Sequence, residues 1–386
     1  MKSWSSRRAR YALLQALYVA SLATIILSFI LLARVKLAQQ GINSGFDFLW
    51  KSTGWEMTFA LVPTSPSDPY WWVLLMGFLN TLLVGVLGLT LATGLGIVIG
   101  TARISSNTAL RMIGTVYVQL VRNVPLLVQV FFWYALITRL PSPKNAINIG
   151  GVFLSNRGLY VPRLNVEAWA TLASAAIFAA MLLVCLWLSV FARAGWLHAK
   201  RQPLMAGSVA SALAIMTVLF VMGHQTGTPF VDEPVFRGLN FRGGSHIQPE
   251  FFTIVLAIAI FGGAYVGEIV RGGFLAVSRG QIEAARSLGL KTWHVFSRIQ
   301  FPLAMRAMLP MLTNQYIWLI KATTLGIVVG FADLFMVIAT AITQSGQTLE
   351  MLGILMGAFL LINITIATVS NRINSAIALK GHQARG

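Results

Sequence analysis

The sequence predicts an all-α, polytopic transmembrane protein with about eight spans. Of its 386 residues, 56% are hydrophobic and 10% are charged, whereas soluble domains average about 25% charged residues. Apolar runs of roughly 20 residues, the length that crosses a bilayer as a helix, recur along the chain. The net charge of +18 is spread over the segments between these runs and is not gathered in a basic domain. The charge therefore indicates membrane topology and argues against nucleic-acid binding.

The predicted spans follow the apolar runs in chain order. They cover 11–33, 72–101, 113–138, 168–191, 204–222, 251–270, 307–329 and 351–369. The first run exceeds the roughly 7–15 apolar residues of a signal peptide, so we expect an uncleaved span. The external loops between spans are too short for separate domains and are expected to cap the outer mouth.

The distribution of basic residues predicts the orientation. An even number of spans places both termini on one side, and the positive-inside rule assigns the more basic side to the cytoplasm. The basic residues on that side are Lys2, Arg7, Arg8, Arg10, Arg103, Arg111, Arg193, Lys200, Arg201, Arg271, Arg279, Arg286, Lys291, Arg298, Arg306, Arg372, Lys380 and Arg385. The reverse orientation would place the basic loop 271–306 outside. We therefore expect both termini in the cytoplasm.

Two kinds of chemistry lack support in the sequence. Cys185 is the only cysteine, so neither an intrachain disulfide nor a metal-thiolate site is expected. The stretch Gly289-Leu290-Lys291-Thr292 has a Lys-Thr pair but lacks the upstream glycine of a phosphate-binding loop. We expect no metal site, no cofactor and no ATP hydrolysis in this chain.

The loop between the sixth and seventh predicted spans is amphipathic and cationic. Gly280 is expected to end one element, and 281–288 to form two helical turns with Glu283 in the first, where a carboxylate favours the helix dipole. Ala284 and Ala285 combine helix propensity with minimal bulk, which permits close approach by another protein. The loop is predicted to be a docking element.

The second half of the loop completes a rigid elbow. Gly289 suits a left-handed, helix-ending conformation, and a short helix over 291–300 is expected before Pro302 restarts the chain as a span. The full pattern is Glu283-Ala284-Ala285, Gly289 and Ile299-Gln300-Phe301-Pro302. It resembles the EAA loop in permease subunits of binding-protein-dependent ABC importers, with Phe301 where leucine is usual. In that family the loop is the coupling helix, which sits in a cleft of the ATPase subunit. The resemblance assigns ATPase coupling to Glu283, Ala284, Ala285, Gly289, Ile299 and Pro302.

Further stretches narrow the resemblance to the polar amino-acid uptake branch. Asn80-Thr81-Leu82 opens the second span, and 121–129 is similar to the branch's RGTPLLVQ stretch, with Asn123 and Val124 replacing Gly and Thr. The segments 264–273 and 314–325 resemble its other two characteristic stretches, with Ala322 replacing a frequent Asp.

The resemblance implies a five-span type I importer core over 72–138 and 250–386. Residues 1–71 then add an N-terminal tail, a span and an external loop, and 139–249 form an insertion with two further spans. Such long forms are similar to general L-amino-acid importers. The implied partners are a second, paralogous permease subunit, two ATP-binding subunits that hold ATP and Mg, and a soluble external binding protein, at a bacterial inner membrane.

Charged residues within spans are costly and are functional candidates. A zwitterionic amino acid needs donors and an acceptor, so Arg122 is the predicted carboxylate partner and Glu268 the predicted ammonium partner. A structural ion pair of Glu268 with Arg271, three residues later, is equally open. Lys321 is expected to snorkel or to form a structural pair. Neutral hydrogen bonds along the substrate pathway are predicted from Asn123, Gln129, Asn314 and Thr323.

Three functions are compatible with these features. The first is an importer permease that couples ATP hydrolysis by separate subunits to alternating access. The second is a secondary transporter or channel that uses Glu268 as a proton or cation site, and it gives no reason for the elbow. The third, a structural membrane scaffold, is disfavoured by the intramembrane charges. Pro125 inside the third span favours either a helix break around a cavity or a packing kink.

Overall fold

A computed structural model describes residues 7–39, 45–191 and 201–377. Lys2, Arg193, Lys200, Lys380 and Arg385, which entered the charge argument, lie outside them. Long helices dominate the described chain. In order they are α1 Arg7–Gln39, α2 Tyr70–Ile104, α3 Thr108–Asn123, α4 Leu126–Thr138, α5 Ala168–Phe191, α6 Arg201–Met222, α7 Pro249–Leu275, α8 Arg279–Ser287, α9 Thr292–Val295, α10 Phe301–Lys321, α11 Leu334–Ser345 and α12 Thr348–Ile377.

The polytopic helical class is confirmed, and the number of spans is approximate. Within the described ranges, α1, α2, α6, α7 and α12 are each long and apolar enough to cross a membrane. Two bent helix pairs raise the number to as many as seven. Helix α5 has the same bounds as the fourth predicted span.

The third predicted span is not one continuous helix. It is divided into α3 and α4, which meet at an angle of 103°. Val124, the residue before Pro125, is extended at φ −103° and ψ 125°, as steric conflict with the proline ring favours. Pro125 also lacks the N–H that would continue the helix. The helix break is therefore the correct one of the two interpretations of Pro125, and the predicted span over 113–138 is a bent helix pair.

Helix α7 forms the centre of the fold, and 72% of its most apolar 18-residue stretch is buried. It packs closely on α2 because glycines face it. A Cβ atom on Gly96 would lie 2.4 Å from Val266 Cγ1, and one on Gly100 would lie 2.6 Å from Val270 Cγ1. These contacts are tighter than side chains allow, so the two backbones approach closely only with glycine at both positions.

The seventh predicted span ends in a structure that the sequence analysis missed. A 3-10 segment, Ala322–Val329, follows α10, and the chain turns at Gly330, whose φ is +82°. Helix α11 then begins with Asp333 as its N-cap, where Oδ1 accepts from Met336 N at 2.9 Å. The cap and the glycines at 330 and 346 are start and stop signals that predict this short helix.

Asn80 and Thr81, noted above only for their resemblance, hold this turn in place. Asn80 Nδ2 donates to the carbonyl of Ala332 at 2.7 Å and to that of Phe59 at 2.9 Å. Thr81 Oγ1 accepts from Leu334 N at 2.9 Å. Both side chains are fully buried. Helix α2 thereby satisfies backbone groups that the break between α10 and α11 frees.

The insertion contains β-structure, which the sequence analysis did not predict. The strands are β1 Ile147–Ile149, β2 Val152–Ser155, β3 Gly158–Val161, β4 Arg163–Leu164, β5 Val231–Asp232, β6 Val235–Arg237, β7 Asn240–Arg242 and β8 Ser245–Ile247. Four of them form an antiparallel sheet in the order β1–β2–β3–β8. Strands β6 and β7 form a hairpin, and β4 pairs with β5 across helices α5 and α6, which separate them in sequence. Each strand has only two to four residues, which is at or below the shortest length at which alternation of apolar and polar residues indicates a strand. Strand β8 leads directly into α7.

Candidate functional site

The predicted elbow is present in the structure, and its helix ends at Gly289, as the sequence predicts. Helix α8 is closed by Gly289 at φ +75°. Leu290 N donates to the carbonyl of Ala285 at 3.2 Å, and Gly289 N donates to that of Arg286 at 2.9 Å. This pair of bonds is a Schellman motif, which needs a left-handed residue at the position of Gly289.

Two details of the elbow differ from the prediction. Helix α8 begins at Arg279 with Ser278 as its N-cap. Gly280 therefore lies inside the helix and does not end the preceding element, and Glu283 lies beyond the first turn. Ala285 is buried, while Glu283 and Ala284 are exposed. The exposed side of α8 is thus the one that carries the small alanine and the carboxylate.

Pro302 does not restart the chain after a break. From Thr292 to Lys321 the backbone stays helical, with a π-helical turn over Phe296–Gln300 that contains the half-buried Ile299. Phe301 N donates to the carbonyl of Phe296, five residues earlier. The wider turn provides space for a proline ring that would otherwise clash with the carbonyl four residues before it.

The elbow is fixed to the ends of two long helices. Ile282 packs on a buried cluster to which Phe274 and Val277 contribute from the end of α7, and Ala304 and Met308 from the start of α10. The aromatic rings of Phe274 and Phe296 stack with centroids 6.0 Å apart. Two apolar side chains of the elbow point outward, since Leu288 is 81% exposed and Trp293 69% exposed. A partner that moves α8 would therefore move α7 and α10.

Glu268 lies at the centre of a cluster of arginines. Its carboxylate forms an ion pair with Arg103 from the last turn of α2. The other carboxylate oxygen accepts from Arg271 at 2.6 Å, which is the structural pair left open above. Arg122 is farther away, with NH1 3.8 Å from Glu268 Oε2. The side chains of Arg103 and Glu268 are 10% and 28% exposed. Two close guanidiniums already neutralise the carboxylate, so it is a poor acceptor for a substrate ammonium group.

A cleft of about 420 Å³ opens beside this cluster. It brings together Arg122, Glu268 and Asn314, three of the predicted pathway residues. The guanidinium of Arg122 lies 4.8 Å from the ring centroid of Tyr265, and its side chain is 41% exposed. Arg122 is therefore the cation of the cluster that is best placed to meet a carboxylate entering the cleft.

The other pathway candidates do not line this cleft. Gln129 is buried and donates from Nε2 to the carbonyls of Val121 and Val124, both at 2.9 Å. These carbonyls lie at the helix break, so Gln129 satisfies groups that Pro125 leaves free. Thr323 is fully buried in the 3-10 segment, and its Oγ1 donates to Ile320 O at 2.8 Å. Asn123 is exposed at the end of α3.

We expect Gln129→Leu to destabilise the subunit. The change leaves the two partly buried carbonyls without their side-chain donor, and the loss of a typical hydrogen bond costs about 0.5–1.5 kcal/mol. The measurement is the thermal midpoint of the purified complex. Gln119→Leu is the matched control, because Gln119 is exposed on α3. Equal midpoints for the two variants would contradict the role of Gln129 at the break.

Sequence reasoning placed Arg103 only in the charge count. Tyr265, Gln315 and Trp318, which line the cleft, were noted only within the stretches that resemble the family and were not predicted as site residues. Arg103 is 165 positions from Glu268, so no local spacing connects them. Tyr265 had a detectable signal, since it lies three residues before Glu268 and so on the same helix face.

Comparison with known proteins identifies relatives over most of the chain. The family model for the inner-membrane component of binding-protein-dependent transport systems matches residues 203–378. YhdX of Escherichia coli strain K12, assigned by name to the amino-acid ABC transporter permeases, is 35% identical over 89% of this chain and 88% of its own length. The general L-amino acid transport system permease protein AapQ of Rhizobium johnstonii is 36% identical over 89% and 86%.

A shorter relative matches only part of the chain. The glutamine transport system permease protein GlnP of Escherichia coli is 32% identical over 49% of this chain and 87% of its own length. An alignment that omitted the whole insertion would cover at most about 71% of this chain. The alignments to YhdX and AapQ therefore run through the insertion.

Proposed function

Because this chain belongs to the family of amino-acid ABC transporter permeases, whose members are transport components, we propose that it is the permease subunit of a binding-protein-dependent importer of polar or general L-amino acids. The observation that carries the proposal is the elbow. Its helix is exposed, closed by Gly289 and packed onto the ends of α7 and α10. A secondary transporter or a channel has no use for such an element.

The proposed assembly contains four kinds of subunit. A second, paralogous permease subunit encloses the translocation path together with this chain. Two ATP-binding subunits, which hold ATP and Mg, bind at the cytoplasmic face, and a soluble binding protein delivers the amino acid from outside. The name of AapQ, a general L-amino acid permease, supports a broad substrate range. The excess of basic residues on one side supports an inner-membrane orientation with both termini in the cytoplasm.

We infer a mechanism in which the elbow transmits motion. Closure of the ATP-binding subunits displaces α8, and the packing of Ile282 on residues of α7 and α10 passes the displacement to both long helices. Glu283, Ala284 and Ala285 lie on the docking helix, which Gly289 ends. Ile299 lies in the π-helical turn before α10, and Pro302 lies in the first turn of α10. The path thereby changes between inward-facing and outward-facing states. This chain does no covalent chemistry in the cycle.

The cleft beside Glu268 is the proposed point of substrate contact in this subunit. Arg122 supplies a partner for the substrate carboxylate, and Asn314 supplies hydrogen bonds. Glu268 is bound to Arg103 and Arg271, so its role is to hold the inner ends of α2 and α7 together. The pathway roles of Asn123, Gln129 and Thr323 remain predictions, and the contacts of Gln129 and Thr323 favour structural roles.

Reconstitution into liposomes tests the proposal. We expect uptake of labelled L-amino acids by the complete complex to require internal ATP, the ATP-binding subunits and the binding protein. Omission of the ATP-binding subunits should reduce uptake to the level of empty liposomes. Uptake that persists without them and follows an imposed ion gradient would favour the secondary transporter and reject the ABC permease.

A further inference from the structure

A second cleft, also of about 420 Å³, lies between the insertion and the N-terminal end of α7. Its volume is in the range of small-molecule sites, about 300–1,000 Å³. The insertion contributes Arg157, Tyr160, Asn240 and His246, the loop before α2 contributes Thr58, and the core contributes Glu250. In the proposed orientation the cleft opens to the outside, far in sequence from the elbow and separate from the cleft beside Glu268.

The cleft brings one cation and one anion into the same space. Arg157 lies in the turn between β2 and β3, and NH1 is 3.3 Å from the carbonyl of Leu239. That contact uses one of the five N–H groups of the guanidinium. Glu250 lies in the first turn of α7, where Oε1 accepts from Tyr134 at 3.0 Å. In the described part of the chain, Oε2 of Glu250 receives no hydrogen bond. The cleft thus offers donors for a carboxylate and an acceptor for an ammonium group.

The neutral residues around these charges are held in fixed positions. His246 donates from Nε2 to the carbonyl of Arg157 at 2.6 Å, and its ring stacks on Tyr160 at 4.5 Å. Tyr160 is buried and donates to Asn240 Oδ1 at 2.7 Å. Burial raises the pKa of Tyr160, so its hydroxyl remains a neutral donor near pH 7. A preorganised wall of this kind lowers the entropy cost of binding.

Three phenylalanines next in sequence to residues of the cleft pack on one another. Phe59, Phe251 and Phe331 directly follow Thr58, Glu250 and Gly330, which line the cleft. The ring of Phe59 is 5.1 Å from that of Phe251 and 5.3 Å from that of Phe331. This apolar cluster fixes the backbone that carries three of the lining residues.

We propose that this outer cleft binds a zwitterionic amino acid, with its carboxylate on Arg157 and its ammonium group on Glu250. The inference rests on the proposed function for its ligand class and for the outward orientation. Half of the site belongs to the insertion, so a permease without the insertion would lack it. The cleft is an entry site that holds the amino acid before it reaches the translocation path.

Cysteine protection tests the site directly. Thr58 is exposed in the cleft, so Thr58→Cys provides a target for a membrane-impermeant maleimide in the full complex without binding protein. The unchanged chain, with only Cys185, gives the background. An imported L-amino acid at about ten times its Kd should slow labelling about tenfold. Analogues that lack the α-carboxylate or the α-ammonium group should not protect.

Charge removal provides the second arm. In the Thr58→Cys background, Arg157→Gln and Glu250→Gln should each abolish protection, while Arg237→Gln and Glu233→Gln, which alter exposed charges of the insertion, should preserve it. An unchanged labelling rate without ligand shows that the cleft is still folded. Absence of protection in a complex that imports amino acids would overturn the inference. Protection by the loaded binding protein but not by free amino acid would also overturn it and would identify a docking surface. Failure of import, measured separately, would reject the proposed function instead.

Discussion

Replacing Gly289 with valine is expected to lower ATP-driven amino-acid uptake by about tenfold or more while the subunit remains in the membrane. Gly289 has a φ of +75°, and a β-branched residue held in that region costs of order 1–3 kcal/mol. The surroundings would not clash with a side chain, because a Cβ on Gly289 meets no atom within 4 Å. The expected effect is therefore conformational: the Schellman bonds at the end of α8 are lost and the elbow no longer has one geometry.

The measurement is uptake and ATP hydrolysis by the same reconstituted complex. Uncoupling appears as hydrolysis that continues while uptake falls. Gly280→Ala is the matched control, since a Cβ on Gly280 also meets open space and its backbone is not left-handed. Alanine favours the helix at that position, so uptake should be unchanged. Normal uptake by the Gly289→Val variant would show that the elbow is not the coupling element.

The elbow could be predicted from sequence because its signals are local. A helix-forming run, a glycine and a proline within about twenty residues define it, and Gly289 performs the role expected of it. The boundaries were less predictable, because the position of α8 depends on how Ile282 packs on the buried cluster at the ends of α7 and α10. The π-helical turn before Pro302 replaces the expected break for a similar reason. The buried cluster at the start of α10 favours a continuous helix.

The third predicted span shows a different limit of prediction from sequence. Apolar length predicted a span over 113–138, and Pro125 left either a helix break or a kink within it open. The break is stable because Gln129 is available to bond the free carbonyls of Val121 and Val124. A glutamine in an apolar run was interpreted as a pathway residue, since sequence gives its polarity and not its partner. Its neighbour four residues earlier, Pro125, was the better indicator of its role.

The ion cluster contains a contact that could not be predicted from sequence, because its residues are far apart along the chain. Arg271, three residues after Glu268, was found from helical spacing, whereas Arg103 is contributed by a different helix. Only the close packing of α2 on α7, which Gly96 and Gly100 permit, brings Arg103 to the carboxylate. The net charge of the cluster is therefore positive, and Arg122 is the member that remains partly exposed. A prediction of the substrate partner from sequence alone could not separate these arginines.

Glu268→Gln is expected to weaken the subunit itself and not only transport. The change leaves the guanidiniums of Arg103, Arg122 and Arg271 close together without a counter-charge. Removing one partner of a fully buried ion pair costs about 3–5 kcal/mol, and solvent screening at a carboxylate that is 28% exposed reduces the expected loss to about 1–3 kcal/mol. We expect a lower thermal midpoint and a lower yield of assembled complex.

Arg122→Gln separates the structural role of the cluster from its role in transport. Arg122 is 3.8 Å from Glu268 and 41% exposed, so its loss leaves the pairs with Arg103 and Arg271 intact. Stability and assembly should therefore be close to those of the unchanged complex. Uptake should fall, because the cleft loses its accessible cation. If the Glu268→Gln variant assembles normally and only uptake falls, Glu268 contacts the substrate directly. Its ion pairs with Arg103 and Arg271 are then not needed for assembly. If Arg122→Gln transports normally, the substrate carboxylate is bound elsewhere in the complex.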